Sequence, residues 1–255
     1  MKILLATTNP HKREEIEAIL GHSVELITLD EIELDAPEPV EDGATFQANA
    51  LLKAAYYGDA AAMPTLADDS GLAVDALGGE PGVYSARYAA GEQGDRWAGL
   101  DRAERDRINN AKLLRALGGV PDEERSARFV CAMAMVIPPN APEASGPPPT
   151  NWPGGDALSA GMNYERTWPP PPIIVEGNYP GRILRPDEAL DLEHPERGRG
   201  GHGFGYDPLL VLDERFAKHA GKTSAELAPE QKNAISHRGD AARQMRDKLA
   251  EMMLL

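Results

Sequence analysis

The sequence predicts an α/β fold. Short apolar runs of strand length, at 2–6, 24–29 and 129–136, alternate with stretches whose apolar residues recur three and four apart, and Asn-Pro and Gly-Gly pairs punctuate the joins. Residues 2–6 read as a buried strand that stops at Thr7-Thr8. Asn9 then offers a helix cap and Pro10 fits the first helical position, with Ile16, Ile19 and Leu20 forming the inner stripe. Val24–Leu29 is a second strand. A helix starting near Thr45 carries Phe46, Ala50 and Ala54 on one side, and residues 101–118 form another, with Ile108, Ala111, Leu114 and Leu117 facing inward. Leu209–Leu212 is a short strand, and a last helix from about Gly239 turns Ala242, Met245, Leu249 and Met252 to the core.

Two stretches break this alternation. Pro138–Pro172 holds 11 of the 22 prolines, which rules out a regular helix or a central strand, and its Trp152 and Trp168 suggest that it docks on the rest of the protein. Pro186–Gly201 is charged and glycine-rich. Both read as insertions in one domain spanning 1–255.

Bulk properties narrow the classes of function. A net charge of −15 argues against binding duplex DNA or an anionic membrane by the whole surface, so an anionic ligand has to be met locally. The single cysteine, Cys131, excludes an intramolecular disulfide or a cysteine-rich zinc site, and its apolar neighbours predict a buried thiol. Met1–Ala6 is too short for a signal peptide, and no run approaches the ~20 apolar residues that span a bilayer, so a cytoplasmic protein is expected.

Five segments carry chemistry. Asp68-Asp69-Ser70-Gly71 follows an apolar segment, and two adjacent carboxylates either sit in water as an acidic turn or are compensated by a cation or donors. Thr7, Thr8, Asn9, Pro10, His11 and Lys12 place hydroxyls, an amide, helix-start N–H groups and an ammonium on one loop; this suits a phosphate, or is an ordinary helix cap. Phe46, Asn49 and Lys53 share a helical face, either solvated or with Lys53 reaching a phosphate while Glu41 and Asp69 hold Mg²⁺. Phe204, Gly205, Tyr206 and Asp207 put aromatics and a carboxylate on a loop, fit to stack on and bond a purine or to pack as a turn. Lys232, His237 and Arg238 cluster donors before the last helix, suited to a keto oxygen at purine C6 or simply a charged helix start.

In their order along the chain the segments resemble the inosine triphosphate pyrophosphatase family, the non-canonical purine NTP pyrophosphatases. The likeness runs through TTNPHK, EDGATFQANALLKA, ADDSGLAVDALGGEPGVYSARYA, GFGYDP and GKTSAEL followed by KNAISHRG, most of the chain. It implies a two-lobed α/β domain around a long mixed β-sheet with a nucleotide cleft, a homodimer, and Mg²⁺-dependent hydrolysis of ITP, dITP and XTP to the monophosphate and pyrophosphate. It also implies Asp69 as proton acceptor and metal ligand, with Glu41 near the metal. Residues 7–12, Lys53 and Ser70 fall on the triphosphate side; Phe204 to Asp207, Lys232, His237 and Arg238 on the base side. The chain departs from the family in extra length at Pro138–Pro172, Gly91–Asp106 and Pro186–Gly201. Competing readings are a nucleotide sensor that does not turn over, and a pyrophosphatase for other modified nucleotides.

Overall fold

The computed structural model describes residues 1–21, 24–142 and 170–252. Trp152, Trp168 and most of the proline-rich segment lie outside them. The strands are β1 (Lys2–Leu5), β2 (Glu25–Thr28), β3 (Thr65–Val74), β4 (Ser126–Val136), β5 (Ile173–Ile183) and β6 (Leu210–Leu212). They form one six-stranded sheet in the order β2-β1-β3-β4-β5-β6. The sheet is mixed: β1 runs parallel to β2 and to β3, with Leu4 opposite Ile27 and Thr65, whereas β5 and β6 are antiparallel.

The chain divides into two compact units. The first comprises Met1–Asp69, Cys131–Gly177 and Arg238–Leu255; the second comprises Ser70–Val130 and Asn178–His237.

In the first unit, helix α1 (Pro10–Leu20) begins as the sequence predicts: the Asn9 side chain accepts from the His11 N–H at 3.1 Å, and Pro10 occupies the first turn. Helix α2 (Phe46–Ala61) is capped by Thr45, whose hydroxyl accepts from Ala48 N–H. The core joins Ile3 and Leu5 of β1, Ile16 and Leu20 of α1, Leu66 of β3 and Met133 and Met135 of β4 with Ala242, Met245 and Leu249 of the last helix, all buried. Cys131 is fully buried here, and its surroundings push the thiol far above its ordinary value.

In the second unit, a short α3 (Ala90–Gln93) precedes α4 (Arg102–Ala116), which starts on a capping box made by Asp101 and Glu104. Leu113, Leu114 and Leu117 pack with Leu72, Val74, Phe129, Tyr179, Leu209 and Leu210. A helix absent from the sequence reading, α5 (Pro229–Ile235), comes just before the final helix, α6 (His237–Glu251), which starts two residues earlier than predicted.

Candidate active site

Asp68 and Asp69 are not on an acidic turn. They lie inside β3, a strand buried along nearly its whole length, and are only 2 % and 8 % exposed. Carboxylates in such a place need compensating charge. The first unit supplies it in two groups.

The first group surrounds Asp68. Lys12, on the first turn of α1, brings its Nζ to 2.9 Å from Asp68 Oδ2. Arg238, at the start of α6 and 1 % exposed, approaches the same oxygen through Nε at 3.5 Å and pairs through Nη1 with Glu15 of α1. Burial alone would raise the Asp68 carboxyl, but the charges of Lys12, Arg238 and Lys53 outweigh it and hold the group far below the usual carboxylate range. Asp68 is thus a fixed anion that anchors two cations.

The second group surrounds Asp69. Lys53 of α2 places Nζ 3.1 Å from Glu41 Oε1 and 3.7 Å from Asp69 Oδ1, so one ammonium serves two carboxylates. Burial works to lower the Lys53 value, and Asp69, Asp68 and Glu41 together raise it above normal, so Lys53 stays charged. Asp69 goes the opposite way from Asp68: burial, helped by nearby Glu41, raises its carboxyl despite Lys53 and Lys12. Two adjacent aspartates therefore differ, one fixed as an anion and the other made more basic.

Asn49, fully buried on α2, joins the two sides of this second group. Its Nδ2 donates to Asp69 Oδ2 at 3.0 Å, and its Oδ1 accepts from the Gly43 N–H at 2.8 Å, two residues beyond Glu41. A Cβ on Gly43 would stand 2.5 Å from that Oδ1, so the loop requires glycine there. The sequence placed Asn49 on the same face as Lys53, and the helical spacing was the signal; its partners were not visible.

Gly71 has a steric explanation in the second unit. A Cβ there would stand 2.3 Å from Ser85 Oγ and 2.7 Å from the Gly82 carbonyl oxygen. Ser85 Oγ accepts from Leu72 N–H and donates to that carbonyl, which fixes the strand just after Ser70.

The loop Phe204–Asp207 is also in the second unit. Asp207 is 2 % exposed: Oδ2 accepts from Phe204 N–H at 2.9 Å and from Lys232 Nζ at 2.7 Å, and Oδ1 accepts from Ser224 Oγ at 2.7 Å. The carboxylate shapes its own loop, and Lys232 is drawn in by it. Lys232 Nζ is also 5.3 Å from the centre of the Phe204 ring. The buried Tyr206 hydroxyl donates to the Ser85 carbonyl. Gly203 and Gly205 have φ of +78° and +63°, and a Cβ on Gly203 would stand 2.1 Å from Asp207 Oδ2.

His237 and Arg238 have different partners. Consecutive residues at a helix start point about 100° apart. The His237 ring lies within the second unit, stacked on Phe129 at 4.9 Å and 15°, whereas Arg238 turns into the ion pairs of the first. Thr8, on the loop into α1, and Pro10 and His11, in its first turn, are exposed, and Thr7 Oγ1 accepts from Asn9 N–H. Sequence reasoning missed Glu15 and Ser224; no local pattern marks either.

An α/β protein that buries paired aspartates in a central strand and neutralises them with one lysine from the first turn of α1 and another from the middle of α2 is built to handle a phosphorylated ligand with a cation. The chain belongs to the Ham1 family, whose model matches residues 3–147 and 162–248. It is 40% identical over 268 residues to the dITP/XTP pyrophosphatase of Bifidobacterium animalis subsp. lactis, covering 99% of this chain and 98% of that one. It is also 40% identical to the dITP/XTP pyrophosphatase of Pseudomonas aeruginosa, covering 97% and 96%. The fold matches a HAM1 protein from Coxiella burnetii with a TM-score of 0.69 and 32% identity, over 98% and 99% of the two chains. A nucleoside-triphosphatase / dITP/XTP pyrophosphatase from Mycobacterium abscessus matches with a TM-score of 0.61 and 36% identity, over 96% and 98%.

Proposed function

We propose that this protein hydrolyses non-canonical purine nucleoside triphosphates, ITP, dITP and XTP, to the monophosphate and pyrophosphate. The observation that carries the reading is the opposite treatment of Asp68 and Asp69, one a fixed anchor for Lys12, the other a raised carboxyl beside Lys53 and Asn49. Membership of the Ham1 family and the names of its curated relatives support it.

Among the described residues no three His, Cys, Asp or Glu side chains converge to hold a metal ion. Glu41 and Asp69 share a single ammonium, and two hard carboxylate donors fit Mg²⁺, which takes one or two carboxylates and completes its shell with phosphate oxygens and water. Bound there, Mg²⁺ would neutralise phosphate charge. In this reading Asp69 accepts the proton of the attacking water. Lys12 and Lys53 counter charge on the departing pyrophosphate. Thr7 to His11 and Ser70 line the triphosphate side, with Arg238 holding Asp68 behind Lys12. Phe204 to Tyr206, Lys232 and His237 serve the base, with Asp207 setting the loop. The protein acts in the cytoplasm as a homodimer. No helix among the described residues is long and apolar enough to cross a membrane.

The test is hydrolysis of ITP and ATP side by side, with and without Mg²⁺, resolving pyrophosphate from orthophosphate. IMP and pyrophosphate released from ITP in a metal-dependent way, with little from ATP, is expected. Tight ITP binding without cleavage would make the protein a sensor, and equal cleavage of ATP would remove the base assignment.

A further inference from the structure

Helix α4 presents Arg102, Asp106 and Asn110 at i, i+4 and i+8, on one face. That face holds the loop assigned to the base. Asp106 Oδ2 accepts from Gly205 N–H at 2.8 Å, while Asn110 Nδ2 donates to the Gly205 carbonyl at 3.2 Å. The main chain of Gly205, whose φ is +63°, is therefore gripped on both its donor and its acceptor side. Asn110 Nδ2 also lies 3.2 Å from the Glu196 carbonyl, which ties the charged stretch 186–201 to the same point. One residue before Gly205, the Arg102 guanidinium lies 4.7 Å from the centre of the Phe204 ring, and its Nε is 3.9 Å from Asp106 Oδ2. Asp106 thus bonds the loop and steers the cation that covers the ring beside it.

We propose that Asp106 and Asn110, together with Arg102, are positioning residues for base recognition: they fix the Gly205 main chain and the Phe204 ring, and thereby set affinity for the purine base while leaving affinity for the phosphates untouched. This rests on the assignment of Phe204–Asp207 to the base. A helix that merely stabilised the loop would not separate base from phosphate, so the test compares the two.

Asp106→Leu, Asp106→Asn and Asn110→Leu are compared with the unaltered chain for ITP hydrolysis, for inhibition by IMP and by inorganic triphosphate, and for thermal unfolding. Asp106→Leu is expected to raise the KM for ITP and the inhibition constant for IMP ~10-fold, the loss of one charge-assisted hydrogen bond, with kcat within about twofold and inorganic triphosphate unaffected. Asp106→Asn keeps an acceptor for the Gly205 N–H and should restore IMP affinity to within about threefold. Asn110→Leu should weaken IMP by about fivefold with the same selectivity. Equal weakening of IMP and inorganic triphosphate, no weakening of either, or failure of Asp106→Asn to restore IMP binding would each overturn the proposal. Should Asp106→Leu fail to fold, Asn110→Leu and Arg102→Leu decide on the same comparison. If the unaltered chain does not hydrolyse ITP, the proposed activity fails, and calorimetric binding of IMP to the same variants still decides the positioning role.

Discussion

Replacing Arg238 by methionine keeps much of the buried volume and removes the guanidinium. Glu15 then loses the Arg238 guanidinium, and Asp68, 1 % exposed at its side chain, retains Lys12 at 2.9 Å. Removing one partner of a buried ion pair costs about 3–5 kcal/mol, and because Lys12 remains, the low end applies, about 3 kcal/mol. For a chain of this size that is a fall in Tm of roughly 6–12 °C. Urea and thermal unfolding of Arg238→Met, Glu15→Gln and the double variant form a cycle in which Glu15 and Arg238 should couple by at least about 1 kcal/mol. The ratio of ITP to ATP turnover, measured on the same samples below their transitions, should stay unchanged, because the guanidinium faces carboxylates. A variant that unfolds within about 1 kcal/mol of the unaltered protein, or one that stays stable and loses its base preference, would refute the reasoning and return Arg238 to the base-side role expected from the sequence.

Other outcomes are as definite. Asp69→Asn should lose ~10²-fold or more in kcat with a modest change in nucleotide affinity, and unchanged turnover would remove it as proton acceptor. Gly71→Ala drives a methyl to 2.3 Å from Ser85 Oγ and 2.7 Å from a main-chain oxygen, and should cost about 1–3 kcal/mol in thermal unfolding; no loss would mean that the strand can shift freely. Glu188 is held down to about 2 by the two-pronged hydrogen bond from Arg182 and the Arg185 N–H, against the opposing effect of burial. A group lowered on folding stabilises above its unfolded value, near 4.5, and the benefit disappears as pH falls through the folded one. Glu188→Gln should therefore cost about 1 kcal/mol at pH 7, after allowance for screening, and nothing below pH 2; an equal cost at both pH values would assign the effect to packing.

The start of the chain was legible because its signals are local: Asn9 and Pro10 fix where α1 begins, and Thr45 does the same for α2. The acidic pair was harder to place. Carboxylates are disfavoured inside strands, so local propensity favours a turn at Asp68-Asp69. The strand wins because cations distant in sequence, Lys12 and Arg238, neutralise it. Such pairings, like Asp106 with Gly205 across 99 positions, leave no periodic trace. β5 escaped notice for a different reason. It contains Gly177, Pro180 and Gly181, which read as breakers, yet its burial alternates at Val175, Gly177 and Tyr179, and a Cβ at position 181 would meet the Val211 carbonyl at 2.2 Å.

The Asn49 amide has a consequence for the ageing of the protein. Its nitrogen donates to one carboxylate while its oxygen accepts from Gly43, and nothing else of that size can do both. Hydrolysis of that side-chain amide without rearrangement of the main chain would replace a single NH₂ by oxygen, and the new carboxylate would face Asp69. The exchange would set like charge against like at an aspartate whose carboxyl burial already raises.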